Sequence, residues 1–121
     1  MPWDQNAAVK HLQSHAKPMS RGECARYVRE AIERGGIILK LTRSAKDYGL
    51  SLAYAGFRAV STTDPQPGDV IVIEGIHLHP HGHMAMYDGE YWISDFKQWH
   101  GFYPGPDYRS ARPNYKIYRH D

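Results

Sequence analysis

The stretch "GHMAMYDGEYWISDF", residues 82–96, decides how the rest of the chain is read. Two runs of apolar and aromatic residues flank Asp88-Gly89, a dipeptide that favours a hairpin because glycine reaches positive φ at little steric cost. Side chains on a strand alternate, so His83, Ala85 and Tyr87 leave one face and Met84 and Met86 the other. The turn then decides what His83 meets. A two-residue loop at Asp88-Gly89 pairs Tyr87 with Glu90 and His83 with Ser94. A three-residue loop, Asp88 to Glu90, pairs Tyr87 with Tyr91 and His83 with Asp95. The second register gathers Met84, Met86, Trp92 and Phe96 on one face, with Ser94 its single polar member, and that apolar sorting makes it the expected one.

The neighbouring segments extend this sheet. "PQPGDVIVIEG", residues 65–75, reads as a turn followed by a β-branched strand from Val70 to Ile73. "NYKIYRH", residues 114–120, alternates and reads as a last strand. Upstream the period changes to that of a helix. "WDQNAAVKHLQSHA", residues 3–16, places Trp3, Ala7, Ala8 and Leu12 at helical spacing before Pro18 interrupts. "MSRGECARYVREAIERGG", residues 19–36, has Cys24, Tyr27, Val28, Ala31 and Ile32 on one face. Ser20 and Glu23 form a capping-box pair at its start, and Gly35-Gly36 ends it. A shorter helix is expected after Ser44, running toward Ala55, with Gly49 weakening it. Helices first and antiparallel strands after make the α+β class, in one domain spanning residues 1–121.

Composition narrows the function. The formal net charge is +2 and the basic residues are scattered, so nothing argues for nucleic acid. There is no apolar run long enough to span a membrane and no apolar signal-peptide core at the start. The expectation is a protein made in the cytoplasm that stays there or leaves without a cleaved signal. The single cysteine forms no internal disulfide and builds no cysteine-rich zinc site.

That cysteine, Cys24, sits in the first turn of its helix. Unpaired N–H groups and the helix dipole there stabilise a thiolate. It also lies on the apolar face, so a buried structural thiol is the equal alternative. A nucleophile needs a base, and His83 at its strand start is the candidate; Asp95 is the candidate orienter of the imidazole. A rival reading takes His77, His79, His81 and His83 as a metal site, but Pro80 and Gly82 interrupt the ladder and argue for a loop. Another takes the aromatic segment "WHGFYPGPDYRSARPNY", residues 99–115, as a non-catalytic surface contacting glycan or protein, or as one wall of a substrate cleft.

A helix-start cysteine, "PGDV" leading into a strand, and then "GHMAMYDGEYWISDF" together resemble the NlpC-type and CHAP cell-wall peptidases. The likeness covers roughly residues 20 to 96. It implies a papain-like fold, with Cys24 as nucleophile, His83 as base and Asp95 in place of the orienting residue. The local context Glu23-Cys24-Ala25 departs from the usual one in that group. The compact chain is also similar to small amidase effectors injected by type VI secretion systems, and to phage lysin domains. The resemblance therefore implies acyl transfer on peptide amide bonds of bacterial peptidoglycan, without metal or cofactor, in the periplasm of target bacteria, and a cognate immunity protein as partner.

Overall fold

A computed structural model describes residues 3–121. The first helix, α1 (Gln5–His15), opens on Asp4, whose Oδ1 accepts from the Ala7 N–H at 3.0 Å. It buries Ala8, Val9 and Leu12, while Trp3 precedes it. The second helix, α2 (Cys24–Arg34), buries Val28, Ala31 and Ile32 and stops at Gly35, with Gly36 at φ +100°. A 3-10 turn (Ala45–Asp47) leads into α3 (Tyr48–Tyr54), the expected short helix. Gly49 is tolerated there for a packing reason: a Cβ at this position would lie 2.6 Å from the Tyr118 hydroxyl.

Six strands follow: β1 (Arg58–Val60), β2 (Val70–Ile73), β3 (His83–Tyr87), β4 (Trp92–Ile93), β5 (Lys97–Gln98) and β6 (Tyr115–Arg119). They form one antiparallel sheet in the order β1-β6-β2-β3-β4-β5. Every residue of β2 is buried because the sheet is covered on both faces. On one face Val70, Val72, Met84, Met86 and Ile93 pack against the buried sides of α1, α2 and α3. On the other, Ile71, Ile73, Ala85, Trp92 and Ile117 pack with Tyr108 of a short helix α4 (Pro106–Ala111), and with Phe102 and Tyr103. Each large apolar side chain buried this way contributes about 1.5–3 kcal/mol.

The aspartate of "PGDV" is structural. Asp69 is buried and receives both Nε (2.9 Å) and Nη2 (2.8 Å) of Arg119, joining the start of β2 to the end of β6. Its Oδ2 also accepts from the Gln66 N–H at 2.9 Å, which closes the turn before β2.

The hairpin at residues 82–96 differs from the expected register. Tyr87 pairs with Trp92 and Met86 with Ile93, so the loop has four residues, Asp88 to Tyr91. Asp88 Oδ1 accepts from the N–H groups of Glu90 (2.8 Å) and Tyr91 (2.6 Å), and the Asp88 N–H donates to the Tyr91 carbonyl at 2.9 Å. The carboxylate of Asp88 thus stabilises one more turn residue than apolar sorting alone suggested. The extra residue places Trp92 with Ala85 and Tyr87, and Ile93 with Met84 and Met86. It also removes the expected pairing of His83 with Asp95.

Candidate active site

Helix α2 starts at Cys24, three residues later than the capping pattern suggested, and no Ser20–Glu23 capping box forms. Glu23 occupies the cap position without a side-chain cap, and Ser20 Oγ accepts from the Gly22 N–H at 3.3 Å. The acceptor that shapes this segment comes from elsewhere in the chain. Asp95, fully buried just after β4, takes the Arg21 N–H at 2.6 Å and the Glu23 N–H at 3.0 Å on Oδ2. Its Oδ1 accepts from Ser94 Oγ at 3.3 Å, and its carbonyl accepts from the Lys17 N–H at 2.7 Å. Asp95 therefore clamps the chain leading into α2, and Cys24 becomes the first helical residue.

His83 begins β3, buried, and its Nε2 lies 2.7 Å from Gln98 Oε1. The imidazole partner is thus Gln98, not Asp95. The cause is the hairpin register: Gln98 pairs with Trp92 and shares the side of the sheet that carries Ala85 and Tyr87. The Gln98 amide has only one orientation open to it. Its Nε2 donates to the carbonyls of Gly101 (3.0 Å) and Phe102 (2.9 Å), so Oε1 must face the imidazole. An oxygen acceptor at that distance requires the proton on His83 Nε2, which leaves Nδ1 as an acceptor.

Cys24 and His83 line one cleft of about 770 Å³. Arg43, His79, His81, Phe96 and the segment Pro104 to Tyr108 line it too, so the aromatic C-terminal segment does form a wall. The backbone N–H groups of Met84, the residue after His83, of Ala25 and of Cys24 itself favour the thiolate. Burial nevertheless pushes the thiol up to about 11, and the Asp95 carboxylate pushes the same way. Burial pushes His83 down to about 4, against the pull of Gln98 and of the Asp95 charge. At neutral pH both groups are therefore uncharged, and an attack through sulfur must hand its proton to the imidazole as the new bond forms.

The other three histidines of the ladder go separate ways. Residues 77–82 form turns around an isolated bridge between Ile76 and His79, as Pro80 and Gly82 suggested. His79 stacks on Tyr108 with ring centroids 5.4 Å apart and reaches Asp107 at 3.5 Å. His81 Nδ1 lies 2.6 Å from Ser44 Oγ. Among the described residues no three His, Cys, Asp or Glu side chains gather as a metal site would require.

Two residues of the site escape sequence reading. Gln98 lies on a two-residue strand, too short for alternation to show which way it faces. Tyr108 is one aromatic among several in its segment, and only the turn of α4 aims it at the cleft.

No protein-family model matches the chain, and no curated protein sequence matches it. Solved structures do. The chain is similar to one found in a type VI native effector–immunity complex, Tae3–Tai3, from Ralstonia pickettii: 59% identity, 98% of this chain and 100% of that one covered, TM-score 0.95. The selenomethionine form of that complex gives 62% identity, coverage of 93% and 98%, and a TM-score of 0.90. NlpC1 from Trichomonas vaginalis is similar in fold alone, with 18% identity, coverage of 99% and 45%, and a TM-score of 0.63. The fold shared with NlpC1 and with the matched chain of the complex confirms the expected α+β, papain-like architecture.

Proposed function

We propose, from the premise that this chain belongs to the type VI effector family of Tae3, a reaction path built on Cys24 and His83 in a single catalytic domain. The protein is a peptidoglycan amidase effector, and a cognate immunity protein is its partner. Its destination is the periplasm of target bacteria. The observation that carries the path is the network at Gln98, which leaves His83 Nδ1 free as a base in the cleft that holds the Cys24 thiol.

Cys24 Sγ attacks the carbonyl carbon of a stem or cross-link amide while its proton passes to His83 Nδ1. The carbonyl π pair moves onto oxygen, and N–H groups in the first turn of α2 stabilise that charge. The tetrahedral intermediate collapses, the C–N bond breaks, and the imidazolium returns the proton to the departing amine. A water molecule, deprotonated by His83, then attacks the thioester and releases a carboxylic acid and the free thiol. Gln98 holds the imidazole in the working tautomer throughout. Asp95 acts one step back, as a positioning residue for the start of α2 rather than as the third member of a triad.

Digestion of purified muropeptides tests this. Each cut should yield a new amine and a new carboxylate, with one water added to the summed product mass. Cys24→Ala should yield none, while unfolding at the wild-type temperature. Exporting the wild type to the periplasm of a susceptible bacterium should lyse it, and the same substitution should relieve the toxicity. Cutting by the alanine variant would remove Cys24 from the mechanism.

A further inference from the structure

Among the described residues, Tyr108 Oη is the single buried side-chain polar atom without a hydrogen-bond partner. The residue is only 4% exposed, yet it lines the cleft that holds Cys24 and His83. Its position is well determined. Pro106 opens α4 after the extended Gly105, and Arg112 ends it in the left-handed conformation at φ +50°. Tyr103 Oη ties the segment down by donating to the Pro113 carbonyl at 2.6 Å. The Tyr108 ring packs among Ile71, Ile73 and Ala85, lies 6.0 Å from the His83 ring at a tilt of 53°, and stacks on His79.

A buried hydroxyl without a partner costs about 1–3 kcal/mol. The fold keeps that cost at the wall of the reaction cleft, although phenylalanine would fill the same space without it. A donor left unpaired in the resting protein gains a partner only when an acceptor arrives with the substrate and a small shift of the cleft wall opens the buried Oη to it. The acceptor that gains most charge during acyl transfer is the carbonyl oxygen of the amide under attack.

We infer that Tyr108 is a catalytic residue, whose Oη–H donates a hydrogen bond to the oxyanion of the tetrahedral intermediate formed at Cys24. The inference rests on the reading of Cys24 given above. No proton leaves the phenol. The S–C bond forms, the carbonyl π pair moves onto oxygen, the thiol proton passes to His83, and the Tyr108 hydrogen bond strengthens as the oxygen becomes anionic. Collapse of the intermediate reverses that strengthening. Burial pushes the phenol up to about 12, and its proximity to Cys24 acts in the same sense, so the donor stays protonated at neutral pH. The first-turn N–H groups of α2 and this hydroxyl thus supply donors from two separate elements of the fold.

Tyr108→Phe keeps the ring against His83 and removes only the hydroxyl. On a purified muropeptide its kcat should fall about 10²–10³-fold, the cost of one oxyanion donor, with KM within about twofold of wild type. The unfolding temperature should not drop, because an unpaired polar atom is lost. A kcat within about threefold of wild type, or a loss confined to KM, would overturn the inference. Should Tyr108→Phe fail to fold, difluorotyrosine at position 108 gives the answer. Its more acidic phenol should bring the alkaline loss of activity to lower pH, and an unchanged profile would overturn the inference as well. If wild type leaves muropeptides uncut, the reading of Cys24 falls and this inference with it. If wild type cuts and Tyr108→Phe cuts equally fast, only the inference falls.

Discussion

Gln98→Glu tests the site through its pH dependence. In the wild type, Gln98 Oε1 accepts from His83 Nε2 at 2.7 Å, and the imidazole pKa is held down to about 4 by burial. A carboxylate in the same place turns a neutral acceptor into a charged one. Hydrogen bonds to charged groups contribute about 1.5–3 kcal/mol against about 1 for neutral pairs, a gain of about 1–2 kcal/mol for the imidazolium form. At 1.36 kcal/mol per pH unit, that raises the His83 pKa by about one unit or slightly more. His83 works as a base only when neutral, so the acid limb of kcat/KM, near pH 4 in wild type, should move up by that amount. The substitution has a second consequence. The carboxylate cannot donate to the carbonyls of Gly101 and Phe102, so the variant should unfold at lower temperature than wild type. Gln98→Leu removes the acceptor entirely, releases the tautomer, and should lower the plateau about 10²-fold or more, the scale of effect for general acid–base catalysis. The assay is kcat/KM on a purified muropeptide between pH 3.5 and 9, with unfolding curves to separate stability from activity. An acid limb that stays put or moves down in Gln98→Glu, or a fully active Gln98→Leu, would refute the assignment of Gln98 as orienter.

Asp95→Asn should behave differently, because its carboxylate holds the backbone before α2. We expect a kcat loss of less than about tenfold, far from the roughly 10⁴-fold loss of an imidazole orienter. Removing its charge should also speed alkylation of Cys24 by iodoacetamide, since that charge raises the thiol pKa; slower alkylation would count against this role. His83→Ala should cost about 10³-fold or more in kcat, while His77→Ala and His81→Ala should each cost less than about tenfold. Equal losses at all three, rescued by added zinc, would restore the metal reading. His83 also makes folding pH-dependent: its pKa is lowered from 6.5 to about 4, so the unfolded chain takes up a proton that the folded chain refuses. Stability should therefore fall as pH drops from 6.5 toward 4, by about 3 kcal/mol at 1.36 kcal/mol per unit. Urea titrations of wild type and His83→Gln should differ by that slope, and parallel curves would contradict the burial of His83.

Local pattern was enough to determine the class and most of the elements, though not β1, β5 or α4. The period of 3.6 around Val28, Ala31 and Ile32, the β-branched run Val70 to Ile73 and the alternation from His83 to Tyr87 all appear in the fold where the residues predict them. Each reflects a face that must be buried, and burial is written into spacing. The thiol at a helix start and the histidine at a strand start were legible for the same reason. The tertiary structure decided who meets whom. One additional turn residue, held by the Asp88 carboxylate, shifts the strand after the hairpin by one position, and a period of two converts that shift into a change of face. Asp95 thereby leaves the imidazole for the backbone before Cys24, and Gln98 takes its place. The start of α2 was decided at long range too, because its capping acceptor lies more than seventy residues away in sequence. Tyr108 carries no periodic signal at all: its hydroxyl matters through burial without a partner, and that property exists only once the chain has closed around the cleft.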